Sequence, residues 1–408
     1  MQKTRRKFLQ AAGIGGIGLL TPLSFTGIAA ADESASRFNN LLRLPSVVEG
    51  RIHGDERVID LSLGYGTSEF FSGRPTPTVG INGPYLGPIV RVQRGDNVKL
   101  NVTNRLSEPS TLHWHGLNLP AAMDGGPHQV IDPGKTWTST FKILQGASTQ
   151  WYHSHMYHRT GIQVYFGLAG LFYIDDSRSS ALNLPSDYAI DDIPLILQDR
   201  SFNQDGSFRS ATSMHDRMIG MMGQFMLVNG TAFARFKAQR RLNRLRILNG
   251  SNARIYNLEF DDRREFLQIA TDGGLLEAPV AMRNLVLAPG ERAEILVEFT
   301  PGKDVMMRHR PLPSRAGSGT AMMGMMGMMA ANDQPFDIIR FQAPQDSSVS
   351  ASIPSRLIEP RQWSANDIAR TRHFTLNMRM GMGMMRGGGF GINGRSMDMH
   401  RIDARVPL

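Results

Sequence analysis

The sequence contains no cysteine. That excludes disulfide staples, so a packed core must hold the fold together. It also excludes every site built on a thiolate, whether a nucleophile or a metal ligand. After the first 31 residues no apolar run approaches the roughly 18 residues that a spanning helix needs, so no stable membrane span is expected. The excess of one charge over the other is small as well. The formal +9 falls to +5 once the first 31 residues are set aside, because they hold Lys3, Arg5, Arg6 and Lys7 and no acid. No Lys/Arg stripe with interleaved aromatics remains, which argues against a nucleic-acid partner. Helical apolar periodicity is rare along the whole chain.

What is present begins with an address. Thr4-Arg5-Arg6-Lys7-Phe8-Leu9-Gln10 is a twin-arginine pattern. A Gly/Leu/Ile-rich run from Ala11 to Leu20 follows, then Ala29-Ala30-Ala31. Residues 1–31 read as a cleavable twin-arginine signal peptide, too short and too glycine-rich to stay in a membrane. The expected partner is the twin-arginine translocase, and the expected location is the periplasm.

Beyond the signal the pattern is that of strands. Val98, Leu100 and Val102 alternate with Lys99, Asn101 and Thr103. Ala293, Ile295, Val297 and Phe299 alternate against Glu294 and Glu298, and Phe374, Leu376 and Met378 repeat the period. Period-two alternation broken by Gly/Pro turns predicts an all-β chain of sandwiches. An internal repeat sets their number. Ile81-Asn82-Gly83 leads to Val102-Thr103-Asn104 and Pro133-Gly134. Val228-Asn229-Gly230 leads to Ile247-Leu248-Asn249 and Pro289-Gly290. Ile392-Asn393-Gly394 opens a third copy. The expected layout is domain 1 at residues 42–178, domain 2 at 179–345, a linker at 346–366, and an incomplete start of a third domain at 367–408.

Six of the 11 histidines lie between His113 and His158. Leu112-His113-Trp114-His115-Gly116 puts His113 and His115 on one strand face, because side chains alternate. Trp151-Tyr152-His153-Ser154-His155 does the same 40 residues on. A lone His-x-His is often a hydrogen-bonded core pair. Two, each beside tryptophan in one sandwich, predict a metal site. The residues alone leave copper and zinc both open.

The segment His113-Trp114-His115-Gly116-Leu117, Asp124-Gly125-Gly126-Pro127, Pro133-Gly134, Trp151-Tyr152-His153-Ser154-His155 and Gly167-Leu168-Ala169-Gly170 resembles the first domain of multicopper oxidases. Asn229-Gly230, Asn249-Gly250, Asp272-Gly273-Gly274 and Pro289-Gly290 are similar to the second, and Ile392-Asn393-Gly394-Arg395 with Asp398 to the start of the third. The resemblance implies tandem cupredoxin-like Greek-key β-sandwiches and a copper cofactor. By the matching motif, His113 would ligate the type 2 copper, and His115, His153 and His155 the type 3 pair. Asp124 would help deliver protons to reduced oxygen, although a turn residue is its plain alternative. The implied activity is a periplasmic oxidase of the copper-tolerance type. It would couple one-electron oxidation of Cu(I) or a phenolic substrate to four-electron reduction of dioxygen. The second domain shows Arg254-Ile255-Tyr256-Asn257-Leu258 where the first has His-x-His, and so reads as a spacer. With no cysteine the type 1 copper site is absent, and the trinuclear ligands are only partly supplied. Truncation within the third domain is the expected cause.

Methionine is the remaining signal. Of 24, 15 fall between Met306 and Met399, with runs at Met322–Met329 and Met378–Met385 and a further group at Met214, Met218, Met221 and Met222. Soft thioethers select Cu(I), so these predict a cuprous-ion loading segment. The competing classes are a non-catalytic cupredoxin-like scaffold of the cell-division type, a two-domain copper nitrite reductase and a passive copper-binding protein. The absent cysteine disfavours the nitrite reductase.

Overall fold

The structure is a computed structural model that describes residues 37–209, 216, 220–312, 334–345, 353–359, 364–368, 370–378 and 390–403. The signal expected at residues 1–31 lies outside them. No described helix is long and apolar enough to cross a membrane.

The architecture is all-β. In the first sandwich one sheet runs, in spatial order, Val47–Val48, Ile89–Gln93, Ala169–Asp175, Ser148–His153 and His113–His115. The facing sheet runs Arg51–His53, Glu56–Phe71, Asn97–Asn104 and Thr136–Lys142, with Arg74–Ile81 added to the long second strand. Both sheets mix parallel and antiparallel neighbours. A parallel pair cannot be joined by a tight hairpin, so the chain must cross over, as in a Greek key. Leu61, Val98, Leu100, Val102, Trp114, Tyr152 and Phe172 fill the core between the sheets.

The second sandwich has a seven-stranded sheet centred on Asp192–Arg200, Leu242–Asn249 and Arg292–Glu298. Its six-stranded partner sheet contains Ala234–Lys237, Val305–His309 and Phe336–Gln342. Asn40–Leu41, ahead of the first sandwich, pairs in parallel with Ala234–Lys237 and so belongs to this second sheet. Met307 packs into the second core and Met306 is buried on the same strand; these two are gap-filling core methionines.

The sequence repeat has a physical cause. Asn82, Asn229 and Asn393 all take left-handed backbone, φ 54°, 50° and 52°. Each side-chain carbonyl accepts a backbone N–H from earlier in the chain: Ser62 and Ile196, both within strands, at 2.7 Å, and Thr375, just before one, at 2.8 Å. Asparagine tolerates this conformation and replaces a backbone acceptor in the turn. Asn104 and Asn249 form a second matched pair. Their carbonyls accept the N–H of Gly134 at 2.7 Å and of Gly290 at 2.8 Å, which fixes each Pro-Gly turn against its sandwich.

The polar face of Arg292–Glu298 meets water only at Glu298. Glu294 is buried and pairs with Arg244 and Arg246, while Arg246 also grips Asp192 through two bonds of 2.7 and 2.8 Å. The Thr149 hydroxyl of the first sandwich donates to Glu294 at 2.7 Å, and the Arg246 guanidinium lies 4.3 Å from the Tyr173 ring centre. The alternation is the one the sequence predicts, but its polar side faces the other sandwich.

Leu376–Met378 and Phe390–Ile392 pair as a two-stranded ladder. Leu376, Phe390 and Ile392 are exposed on it and Phe374 is exposed just before it, so alternation here does not build a core among the described residues. Within residues 346–366, Leu357 is buried beside Leu242, Ile269 and Leu296.

Candidate metal centre

His113–His115 pairs antiparallel with Ser148–His153, setting His113 opposite His153, Trp114 opposite Tyr152 and His115 opposite Trp151. Directly opposed residues share a face. Trp114 and Tyr152 therefore enter the first core, and the imidazoles point to the other side. His155 follows just beyond the strand end, held by its N–H to the Thr111 hydroxyl at 2.8 Å.

The four imidazoles meet. Ring centres of His113 lie 5.6 Å from His115, 5.4 Å from His153 and 5.3 Å from His155; His115 and His153 are 5.4 Å apart, and His153 and His155 5.9 Å. His113, His115 and His153 each offer a ring nitrogen within 4.8 Å of the others, the one such group of three among the described residues. His155 sits outside that tightest set.

Hydrogen bonds fix which nitrogens are free. His113 Nδ1 lies 2.8 Å from the Asp124 carbonyl, and His153 Nδ1 lies 2.7 Å from the Ser154 carbonyl. A carbonyl only accepts, so both Nδ1 atoms carry the proton and both Nε2 atoms present lone pairs. His153 Nε2 then faces His115 Nδ1 at 3.2 Å. Two nitrogens bound to one metal at about 2.0 Å are about 3.3 Å apart at a tetrahedral angle. The donor set and its spacing fit an imidazole-ligated ion such as copper.

Electrostatics keeps three of these rings neutral. Burial, then the Arg292 guanidinium and the neighbouring imidazoles, lower His115 to about 4. Burial holds His153 well below the ordinary histidine value and lowers His155. His113 goes the other way. Burial pulls it down, but the side chain, charge and carbonyl of Asp124 together raise it. The Asp124 carboxylate, Oδ1 at 3.2 Å from His113 Nδ1, is about a third exposed. Its place is reached by a turn in which Gly125 has φ 68° and no room for a side chain.

Several neighbours carry no ligand signature in the sequence. Trp151 stacks on His153 with ring centres 4.0 Å apart. Gln163, buried on the helix Thr160–Phe166, accepts from the Ser110 and Ser154 hydroxyls, tying the approach to His113 to the residue between His153 and His155. From the second sandwich Arg292 reaches Gln150. The contact needs a glycine at 116, since a Cβ there would lie 2.1 Å from Gln150 Oε1 and 2.7 Å from Arg292 Nη2.

The methionine groups divide. Met322–Met329 and Met214 and Met218 lie outside the described residues, as does most of Met378–Met385. Met221 is buried among Phe70, Tyr165 and Leu227, a core position and not a donor held open for an ion. Met222 is half-buried.

Residues 63–179 match the family model described as multicopper oxidase. Cell division protein FtsP of Pectobacterium atrosepticum is 35% identical over 416 residues, covering 100% of this chain and 81% of that protein. Multicopper oxidase mco of Staphylococcus epidermidis is 39% identical over 271 residues, 66% of this chain and 60% of that protein. The structure of the laccase-like multi-copper oxidase CueO from Ochrobactrum sp., described as having oxidase activity towards lignin model compounds and lignosulfonate, superposes with a TM-score of 0.77 at 34% identity. That match covers 89% of this chain and 79% of the other.

Proposed function

The chain belongs to the multicopper oxidase family, and from that premise we propose that His113, His115, His153 and His155 hold copper as part of a periplasmic oxidase acting on Cu(I) or phenols with dioxygen as acceptor, with a role in copper tolerance. These 408 residues supply no thiolate for a type 1 copper and only part of the trinuclear ligands, so by themselves they would bind copper without sustained turnover. One observation carries the reading: two antiparallel His-x-His segments bring four imidazoles, three kept neutral, into one space. His113 would serve the type 2 position and the other three the type 3 pair.

Copper, when bound, supplies the one-electron redox chemistry that reduction of dioxygen requires. The chain's own residues do the rest. The Asp124 and Ser154 carbonyls lock His113 and His153 in the tautomer that presents Nε2. The Trp151 ring covers His153 on one side and restricts water there. The Asp124 carboxylate lies between solvent and His113, a position from which it would help deliver protons to the site. The thioethers of the methionine runs would gather Cu(I). Export would follow the twin-arginine route.

Equilibrium dialysis against Cu(II) tests the site. The wild-type chain should bind copper with nitrogen coordination in its EPR spectrum, and the double variant His115→Ala, His153→Ala should lose it. An unchanged stoichiometry and spectrum in the variant would refute the assignment.

A second reading is favoured by the match to cell division protein FtsP along the whole of this chain together with the absence of cysteine: a cupredoxin-like scaffold without turnover. It expects folding and partner binding to be indifferent to copper. A copper-dependent rise in melting temperature abolished by the same double variant would count against it.

A further inference from the structure

Among the described residues the second sandwich adds no imidazole to the cluster, yet it walls the site. The Pro289-Gly290 turn packs so closely that a Cβ on Gly290 would lie 3.7 Å from His115 Cε1 and 3.5 Å from the Trp151 ring. Two residues on, Arg292 is buried and crosses to the histidine strand. It donates to the Gln150 side chain and to the Thr149 carbonyl at 3.2 Å. It also bonds its own turn, at the Gly290 carbonyl (2.9 Å) and the Asp272 carbonyl (3.1 Å). Among the described residues its ion-pair partner is Asp272, at 3.0 Å, and that side chain is half exposed, with the Glu291 carboxylate adding a weaker attraction. A buried guanidinium stays charged, and a half-exposed carboxylate compensates it incompletely, because water screens the outer charge more than the inner one. A net positive field therefore remains beside Gly116 and His115.

We propose that Arg292 is an electrostatic positioning residue by which the second sandwich tunes the copper site of the first, favouring Cu(I) over Cu(II) on the His115–His153 pair. A fixed positive charge repels a divalent ion more than a monovalent one, so it raises the reduction potential of the ion held there. The inference rests on the copper reading above.

The opposite signs of Arg292 and Asp272 separate tuning from mere scaffolding. The full-length chain, given one equivalent of Cu(II), is followed by an EPR-monitored redox titration. Asp272→Asn keeps a carbonyl oxygen for the Arg292 N–H, now at 2.7 Å, but removes the negative charge. It should raise the midpoint potential, by the equivalent of about tenfold in the Cu(I)/Cu(II) affinity ratio. Arg292→Gln should lower it by a similar factor, and Arg292→Lys should stay near wild type. Shifts of the same direction in Asp272→Asn and Arg292→Gln, or none, overturn the proposal; should Arg292→Gln fail to fold, the sign in Asp272→Asn decides alone. A wild-type chain whose Cu(II) signal is unaffected by His115→Ala overturns the copper assignment itself. A His115-dependent signal whose potential ignores both charges overturns only the role of Arg292.

Discussion

His153 Nε2 and His115 Nδ1 face each other across two antiparallel strands at 3.2 Å. With His153 Nδ1 committed to the Ser154 carbonyl, the Nε2 lone pair needs either a proton or a metal ion between the rings. The strand register sets the two nitrogens at that separation.

The first prediction concerns that pair. His153→Ala should weaken copper binding at least about a hundredfold, since it removes a ligand at the shared position. Asp124→Ala should leave copper stoichiometry intact, because it is the Asp124 carbonyl that holds His113. Competition with a chromophoric chelator measures the affinities. Equal losses in both variants would contradict the division of roles.

Acid should destabilise the metal-free protein through these rings. His115 titrates near 4 in the fold, and His153 and His155 are also lowered, against an unfolded value near 6.5. The unfolded chain then binds more protons in that interval, so their contribution is full above about pH 6.5 and is lost as pH falls toward 4. His113, which is raised, opposes the trend but is one ring against three. Thermal melts at pH 7.5 and 4.5 should differ less in His153→Gln than in wild type.

Copper loading should give no intense blue colour, because a blue site requires a thiolate and the sequence has none. Oxygen consumption by the copper-loaded chain with Cu(I) or a phenol should be negligible. Sustained turnover in an oxygen electrode would contradict this.

Gly125→Ala should cost about 2–4 kcal/mol. Its φ of 68° is left-handed, and an added Cβ would sit 1.7 Å from the Leu112 carbonyl oxygen. The backbone must move at the residue next to His113, so urea denaturation and copper affinity should both register the change.

Deleting residues 321–330 should reduce the number of Cu(I) ions bound without changing Cu(II) or Zn(II) binding, since uncharged thioethers gain little from a harder divalent ion. Parallel titrations with the three ions check it. Unchanged Cu(I) stoichiometry would make the methionines a low-complexity insertion.

The all-β class, the Asn-Gly repeat and the spacing of the two His-x-His segments were legible in the sequence because each depends on local geometry. Alternation follows from the strand period, the asparagines from a left-handed turn, and the shared face of His113 and His115 from the pleat. Sequence could also exclude a thiolate site outright. It could not say that His113 would lie opposite His153, because cross-strand register is set by which sheets pack. Nor could it separate Glu294, buried against Arg244 and Arg246, from an exposed strand glutamate such as Glu298. It counted Met221 with the copper-seeking methionines, although packing among aromatics makes it core. Arg292 carries no signal in the sequence, and only the packing of the second sandwich against the first brings it to the histidine strand. Local rules decide which backbone a segment adopts; long-range packing decides what each side chain meets, and with it the charge and solvation around the histidines.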